Sequence, residues 1–337
     1  MHIPDHVLSQ PVLVATGAIA LGGFGYGLRR MERRLKERSM VLMGIMAAFV
    51  FAAQMVNFPL LVLPASGHLI GGVLAAVMLG PWAGAVVMGT VLIVQALMFA
   101  DGGILALGAN FLNLGLIASV GGYAIYEPIR RAIGGKPGVL IGAMVAAWFS
   151  VLLSSLSFAV QLAASGWWSE LPKVLGWMAL VHAVIGLGEA MITGLVLRSV
   201  LAVRPDLVFE EQEDVDRARG WARLVLGGLG ASLAVAAFLA PLASPLDDGL
   251  EFVGGRLGFL TGEGSAMIDG PMADYTIRGM PDVAQATAAA GLIGTITVFA
   301  AGLVLGRTIS PGRASRGPID PDSPGAGAGG GPGAHAA

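Results

Sequence analysis

Residues 69–99 read LIGGVLAAVMLGPWAGAVVMGTVLIVQALMF, and the number of times this stretch crosses an apolar layer decides the fold. It carries no charge. One membrane helix needs about 20 apolar residues, so the stretch is long for one span and short for two. Gly80-Pro81 lies near its middle. Proline breaks a helix from inside but suits the first turn of a new one. The sequence therefore predicts a short helix over 69–79 and a full one over 82–99. The short helix is either packed inside a bundle or the first half of a bent segment.

The rest of the chain has the same character. Of 337 residues, 55% are hydrophobic and 12% charged, against about 25% charged in an ordinary soluble domain. The 51 glycines agree with the raised glycine content of membrane helices. Further apolar segments lie near 11–28, 40–63, 104–126, 138–164, 174–201, 221–241 and 285–306. The expectation is an all-α, polytopic membrane helical bundle of about nine transmembrane helices.

Splitting the chain at Gly80 also sets its sidedness. With the N-terminus outside, only Lys173, Arg256 and Arg278 of the 20 Lys and Arg residues fall on the outer face. The others, including Arg29, Arg30, Arg33, Arg34 and Lys36, fall in inner loops, as positive charge prefers. Merging the two central segments would invert every later loop and spoil this asymmetry. The C-terminus is then cytoplasmic. The first apolar segment lacks a basic leader and a small-residue cleavage site, so Met1 is expected to persist in the mature protein.

Residues 1–202 form a seven-helix block with short loops, and 203–220 a charged cytoplasmic linker. Residues 221–306 form a two-helix hairpin with a long external loop, 243–284. Loops of that length are usually functional or disordered. The Gly/Pro/Ala-rich tail, 307–337, is expected to be disordered. Gly72, Ala76, Gly80 and Gly84, and likewise Gly23 and Gly27, recur every four residues. Such small faces bring helices close together, within this chain or against a partner subunit.

Several kinds of chemistry are excluded or unsupported. There is no cysteine, hence no disulfide or thiolate site. No GxxxxGK(S/T) phosphate loop or HExxH motif is present. A net charge of −2 gives no reason to expect a nucleic-acid partner.

The opening residues, MHIPDHVLS, suggest metal binding instead. A free Met1 amine, the deprotonated amide of His2 and its Nδ1 close a five- and a six-membered chelate ring in one plane. A fourth nitrogen would complete a square, a field suited to Ni(II) or Cu(II) and opposed to the tetrahedron of zinc. His68, in the SGHL stretch on the same membrane face, is the best candidate for that nitrogen. His6 could also reach, although Pro4 argues against a helix that would align it with His2. Asn57, Gln95, Asp101, Asn110 and Asn113 are polar groups in or beside apolar segments, where they serve function or bind helices together. Asn110 and Asn113, three residues apart, are expected on one helix face. His182 and Glu189, seven apart, also share a face, as a structural pair or a proton shuttle.

These stretches together resemble a known family. MHIPDHVLS, NFPLLVLPASGHLIGGVLAAVMLGPWAG, VQALMFADGGILALGANFLN and HAVIGLGEAMITG are similar to the substrate-capture subunit of cobalt and nickel energy-coupling factor (ECF) transporters, the CbiM/NikM family. The resemblance covers most of residues 1–200. It implies metal held by the Met1 amine, the His2 amide and ring, and His68. SPLDDGLE, retaining Asp248, Gly249, Leu250 and Glu251, resembles the PDGLE companion subunit with Asp247 in place of its proline, and MADY, ending in Asp274 and Tyr275, fits that subunit's external loop. Such proteins work with a membrane coupling subunit and a pair of ATPase subunits, separate chains, in a bacterial or archaeal cytoplasmic membrane. The expected cargo is Ni2+ or Co2+, with MHIP leaning to nickel, and no cofactor is expected. A metal-responsive membrane sensor with the linker as its output, an intramembrane enzyme using His182 and Glu189, and a vitamin-capture subunit are the rival readings.

Overall fold

The computed structural model describes residues 1–32, 37–209, 221–260, 267 and 270–309. Arg33, Arg34 and Lys36, the linker from 210, parts of the external loop and the tail from 310 lie outside the described residues.

Apolar runs make the helices, and prolines open several of them. The order is α1 (Gln10–Glu32), α2 (Glu37–Gln54), α3 (Gly72–Leu79), α4 (Pro81–Val94), α5 (Leu107–Asn110), α6 (Gly122–Ile133), α7 (Gly135–Leu162), α8 (Leu171–Val203), α9 (Trp221–Ala234), α10 (Gly249–Leu257) and α11 (Val283–Ile309). Pro81 and Pro172 stand in first turns, where no backbone donor is lost. A wider π-type stretch, Phe111–Gly121, joins α5 to α6 as one rod. Among the described residues, six stretches are long and apolar enough to cross a membrane; one of them, 135–203, comprises α7 and α8, which part at Gly166 (φ 115). Side chains such as Val14, Leu21, Leu187 and Leu195 face outward from the bundle. The chain is a multi-pass, all-helical membrane protein.

The central stretch splits as its Gly-Pro suggests. All eight residues of α3 are buried, so α3 is an internal short helix rather than half a lipid-facing span. At Gly80 (φ 89) the chain turns back, and a Cβ on Gly84 would lie 2.7 Å from the Ala76 nitrogen. α3 and α4 therefore touch backbone to backbone. Below α3 the start of the linker fills the gap, with Leu207 and Val208 buried and Phe209 against Gly80. Gly23 meets Leu116, and Gly27 meets Val86. All these small faces serve packing within the chain.

The second apolar segment, expected to run to 63, stops as a helix at Gln54. Pro59 and Pro64 prevent continuation. The chain forms instead a two-residue antiparallel pair, β1 (Phe58–Pro59) with β2 (Ser66–Gly67). This excursion carries His68 back over the bundle. The C-terminal hairpin packs on α2, where a Cβ on Gly44 would lie 3.0 Å from the Phe299 carbonyl oxygen and one on Gly302 3.2 Å from Ala47. Part of the expected external loop is helical: α10 starts with a capping box in which Asp248 accepts from Leu250 and Glu251 and Glu251 accepts from the Asp248 N–H.

Candidate metal centre

The N-terminal residues are held by main-chain clamps. Asn110 grips Ile3 twice: its Oδ1 accepts from the Ile3 N–H at 2.8 Å and its Nδ2 donates to the Ile3 carbonyl at 3.0 Å. Gly103 N–H donates to that carbonyl at 2.9 Å. Asp5 accepts from the amides of Ile104, Leu105 and Met267. Met1 and Ile3 are consequently buried.

This places the Met1 amine 2.5 Å from His68 Nε2 and 2.6 Å from Asp248 Oδ2. Two nitrogens on one ion at right angles, with bonds of about 2 Å, sit about 2.8 Å apart. The amine and His68 are thus close to ligand spacing. His68 Nδ1 donates to the Leu69 carbonyl at 3.0 Å, leaving the Nε2 lone pair toward the amine. Burial first, then the terminal ammonium and His2, push the His68 pKa down to about 3, with Asp248 opposing. The ring is therefore neutral and able to ligate at physiological pH.

The His2 ring stacks on that of His68, with centroids 5.3 Å apart and planes at 13°. Its Nδ1 faces Asp101 Oδ1 at 3.0 Å, and its Nε2 is buried without a partner. In this arrangement Nδ1 is directed at Asp101 rather than toward the amine and amide, so completing the expected chelate requires the ring to turn. Asp101 Oδ2 accepts from the Tyr275 hydroxyl at 2.5 Å. Burial alone would raise the Asp101 pKa, but His2 and the Tyr275 hydroxyl hold its carboxyl below the usual carboxylate range. Tyr275 in turn is pushed well above the usual phenol value, by burial and by the charge of Asp101. Gln95 Nε2 reaches both Tyr275 and Gln54 Oε1, and Gln54 Nε2 donates to the Ile70 carbonyl. A hydrogen-bonded chain thus links His2 to the loop behind His68.

The companion hairpin reaches the amine through its DDGLE segment. Ser66 N–H donates to the Asp247 carbonyl at 2.7 Å, and Ser66 bridges Asp248 in parallel. Asp248 uses Oδ1 to cap α10 and Oδ2 to hold the amine. Burial would raise its pKa, but the ammonium and His68 more than offset this. Gly249 has no room for a side chain, since a Cβ would lie 2.5 Å from Ile185 Cδ1. Leu250 is buried.

Other expected residues stand apart. His6 is exposed in a turn (φ 72). Asn57 offers its main-chain carbonyl to Ser244 rather than its side chain to the centre. Asn113 and Asn110 meet different neighbours: the rod widens at Phe111, and Asn113 bonds Ser157 and Gln161 on α7. His182 and Glu189 form no pair with each other. Glu189 accepts from the amides of Ile70 and Gly71, fixing the loop after His68 and the start of α3, whereas His182 Nδ1 bonds the Met178 carbonyl. Asp274 shapes a turn in which it and Tyr275 both have positive φ. Sequence reasoning missed Asp5, Gln54 and Ser66. Asp5 had a signal, as an acid beside Pro4 in an apolar segment that becomes buried. Among the described residues no three His, Cys, Asp or Glu side chains gather as a ready cage. The nitrogen nearest His68 Nε2 is instead the Met1 amine.

Comparison with known proteins gives this geometry its context. Residues 2–207 match the family described as cobalt uptake substrate-specific transmembrane region, CbiM, and residues 222–311 match the PDGLE domain. A protein of Archaeoglobus fulgidus with the provisional name fused nickel transport protein NikMN is 34% identical over 91% of this chain and 98% of its own length. The fused nickel transport protein NikMN of Rhodobacter capsulatus is 34% identical over 48% of each chain. A crystal structure described as a truncated transition metal transporter superposes with a TM-score of 0.55 at 30% identity, covering 60% of this chain and 99% of that one. The helical bundle, the buried amino terminus and these matches together show that the chain belongs to the CbiM family and carries a PDGLE domain behind it.

Proposed function

We propose that this chain is the metal-capturing membrane subunit of an ECF-type uptake system for Ni2+ or Co2+ in a bacterial or archaeal cytoplasmic membrane. One observation carries the reading: the terminal amine is buried between His68 and Asp248, at 2.5 and 2.6 Å. A buried ammonium is costly unless it is paired or ligating. The ion is cargo. It is taken by the Met1 amine, the His2 amide, the His2 ring once turned from Asp101, and His68 Nε2. Square nitrogen fields of this kind suit nickel. The fused and metal transport proteins among the relatives support the substrate class. The companion loop, from Asp248 to Tyr275, controls loading of the centre. Separate ATPase and membrane coupling subunits supply the energy, and this chain is not itself an enzyme. The seven-helix block 1–202 captures, the segment 221–306 is the companion, and 203–220 links them.

Equilibrium dialysis with Ni2+ and Co2+ tests the reading on the native terminus beside a copy extended by one residue. The native chain binds and the extended chain does not, since the amine is displaced and the cavity next to it measures only about 10 Å³. Equal binding by both would refute the amine's role. Radiometal uptake with and without the ATPase partners separates a transporter from a membrane sensor.

A further inference from the structure

The geometry points to Asp248 as a temporary ligand: Ni2+ or Co2+ is held first by the Met1 amine, His68 Nε2 and Asp248 Oδ2, and the His2 amide then takes the place of the carboxylate. The inference rests on the proposed function and names how its site is loaded.

Three donors already stand together. The amine lies 2.5 Å from His68 Nε2 and 2.6 Å from Asp248 Oδ2, while Nε2 and Oδ2 are 3.9 Å apart. With bonds of about 2 Å, donors side by side on one ion lie about 2.8 Å apart and donors opposite each other about 4 Å. His68 and Asp248 are therefore spaced as opposite ligands, with the amine beside both. An ion midway between Nε2 and Oδ2 would lie about 2 Å from each. In the finished nitrogen square the His2 amide is the middle donor of its chelate, so it stands opposite His68. Asp248 Oδ2 thus occupies the place that the amide takes later.

The surroundings give the exchange an order. His2 is not ready at first, because its Nδ1 faces Asp101 at 3.0 Å and its amide still carries a proton. Asp248 is the most accessible of the three donors, 13% exposed against 4% for Met1 and 7% for His68. Its aim is fixed. Oδ1 accepts from the Leu250 and Glu251 amides at 2.7 and 2.8 Å, which leaves Oδ2 for the amine. Ser66 pins the strand before it, donating its hydroxyl to the Leu246 carbonyl and its N–H to that of Asp247. Ligands must shed their protons to bind. The terminal ammonium releases one to water as its lone pair meets the ion. The amide releases a second as its nitrogen binds and Oδ2 leaves. Asp248 stays tied to α10 through Oδ1 throughout, so the companion supplies part of the entry site and not only a cover.

The test follows Ni2+ binding to the full chain, with its native terminus and in detergent, by stopped-flow absorption. It compares wild type with Asp248→Asn and Asp248→Ser at low and high salt. Asparagine and serine both cap helices well, so α10 keeps its start, and neither offers the ion a carboxylate. Wild type is expected to bind in two phases, an early one without the visible absorption of square-planar Ni2+ and a later one with it. The variants should lose the early phase and reach the final absorption about tenfold more slowly, the low end of what removing a metal's supporting partner costs. The deficit should persist at high salt. Wild-type rates in both variants would overturn the inference, and so would faster binding, which would make Asp248 a competitor for the amine. A deficit that vanishes in high salt would reduce Asp248 to a steering charge and overturn it too. So would a final absorption that is never reached, or loss of the fold in both variants, since either makes Asp248 a structural support. A wild-type chain that binds no Ni2+ would instead strike the proposed function.

Discussion

Replacing Asn110 by alanine tests whether the chelate depends on a clamp rather than on its ligands alone. Asn110 is 2% exposed and Ile3 is fully buried. The substitution removes both bonds to Ile3, at 2.8 and 3.0 Å. The Ile3 carbonyl keeps the Gly103 N–H, but the Ile3 N–H has no other partner in that arrangement. A buried donor left unsatisfied costs about 1–3 kcal/mol. The segment can avoid that cost by lifting its first residues into water, so the global fold is spared and the penalty falls on metal binding. At about 1.4 kcal/mol per factor of ten, Ni2+ affinity should fall about 5- to 150-fold. Isothermal titration with Ni2+ reads this directly, beside a thermal melt in the same detergent. Affinity within twofold of wild type would refute the clamp, and so would a large drop in Tm with unchanged affinity.

Further expectations concern the groups around the clamp. Tyr275→Phe removes the hydroxyl that donates to Asp101, so the carboxylate holds His2 Nδ1 more strongly and opposes the turn of the ring; Ni2+ affinity should fall about tenfold, and unchanged titration curves would show that Asp101 does not restrain the ring. Gly249→Ala places a methyl 2.5 Å from Ile185 Cδ1. Overpacking of this kind costs about 1–3 kcal/mol, so the companion loop should lift away and uptake should fall, measured as radiometal import beside cross-linking between residues 66 and 247; retained cross-linking would contradict the crowding. Because the folded His68 pKa is about 3 against an ordinary 6.5, the unfolded chain gains a proton below 6.5 that the folded chain does not. His68 thus makes stability fall as pH drops from 6.5 toward 3. Melts between pH 7 and 4.5 should show a shallower decline in His68→Gln, and identical slopes would count against a buried neutral ring.

The parts of the fold that depend on strong local rules were legible. Gly80-Pro81 marked the end of α3 because proline and a positive-φ glycine act within a residue or two. The long apolar runs and the basic residues at their ends marked the spans. Arg29 and Arg30, Arg130 and Arg131, and Arg307 lie in the last turns of α1, α6 and α11. Less legible was anything that depended on a change of helical period. Asn110 and Asn113 were placed on one face by an α-helical spacing, and the π-type stretch turned them toward different neighbours. His182 and Glu189 were paired by the same reasoning, although main-chain groups of another segment took the glutamate. The expected second helix runs too far because 55–63 is as apolar as a span and only Pro59 and the following Pro64 say otherwise. At the candidate site, residue types alone point to Met1, His2 and His68, and the structure brings these three together. The roles of Asp5, Gln54 and Ser66 could not be read, since each acts on a main-chain atom far away in sequence.

A metal site that includes the terminal amine, as proposed above, has to be positioned by its surroundings, and two parts of the chain share that task. Asn110 and Gly103 hold Ile3 from one side, while Asp248 and Tyr275 of the companion reach the amine and Asp101 from the other. The companion loop docks at Ser66, Asn57, Met98, the terminal amine and Asp101, and α10 packs on α8 with Arg256 over the Trp177 ring. The loop's anchor is α11, whose Gly302 and Gly306 lie against Ala47 and Met40 of α2. Covalent linkage raises the effective concentration of a docking part, but close helix packing in the bilayer already confines α11 beside α2. A chain cut between 210 and 220, with both pieces expressed together, should therefore assemble and import metal at close to the intact rate. Failure of the pieces to copurify would show that the linker, and not the α2–α11 contact, keeps Asp248 on the terminal amine.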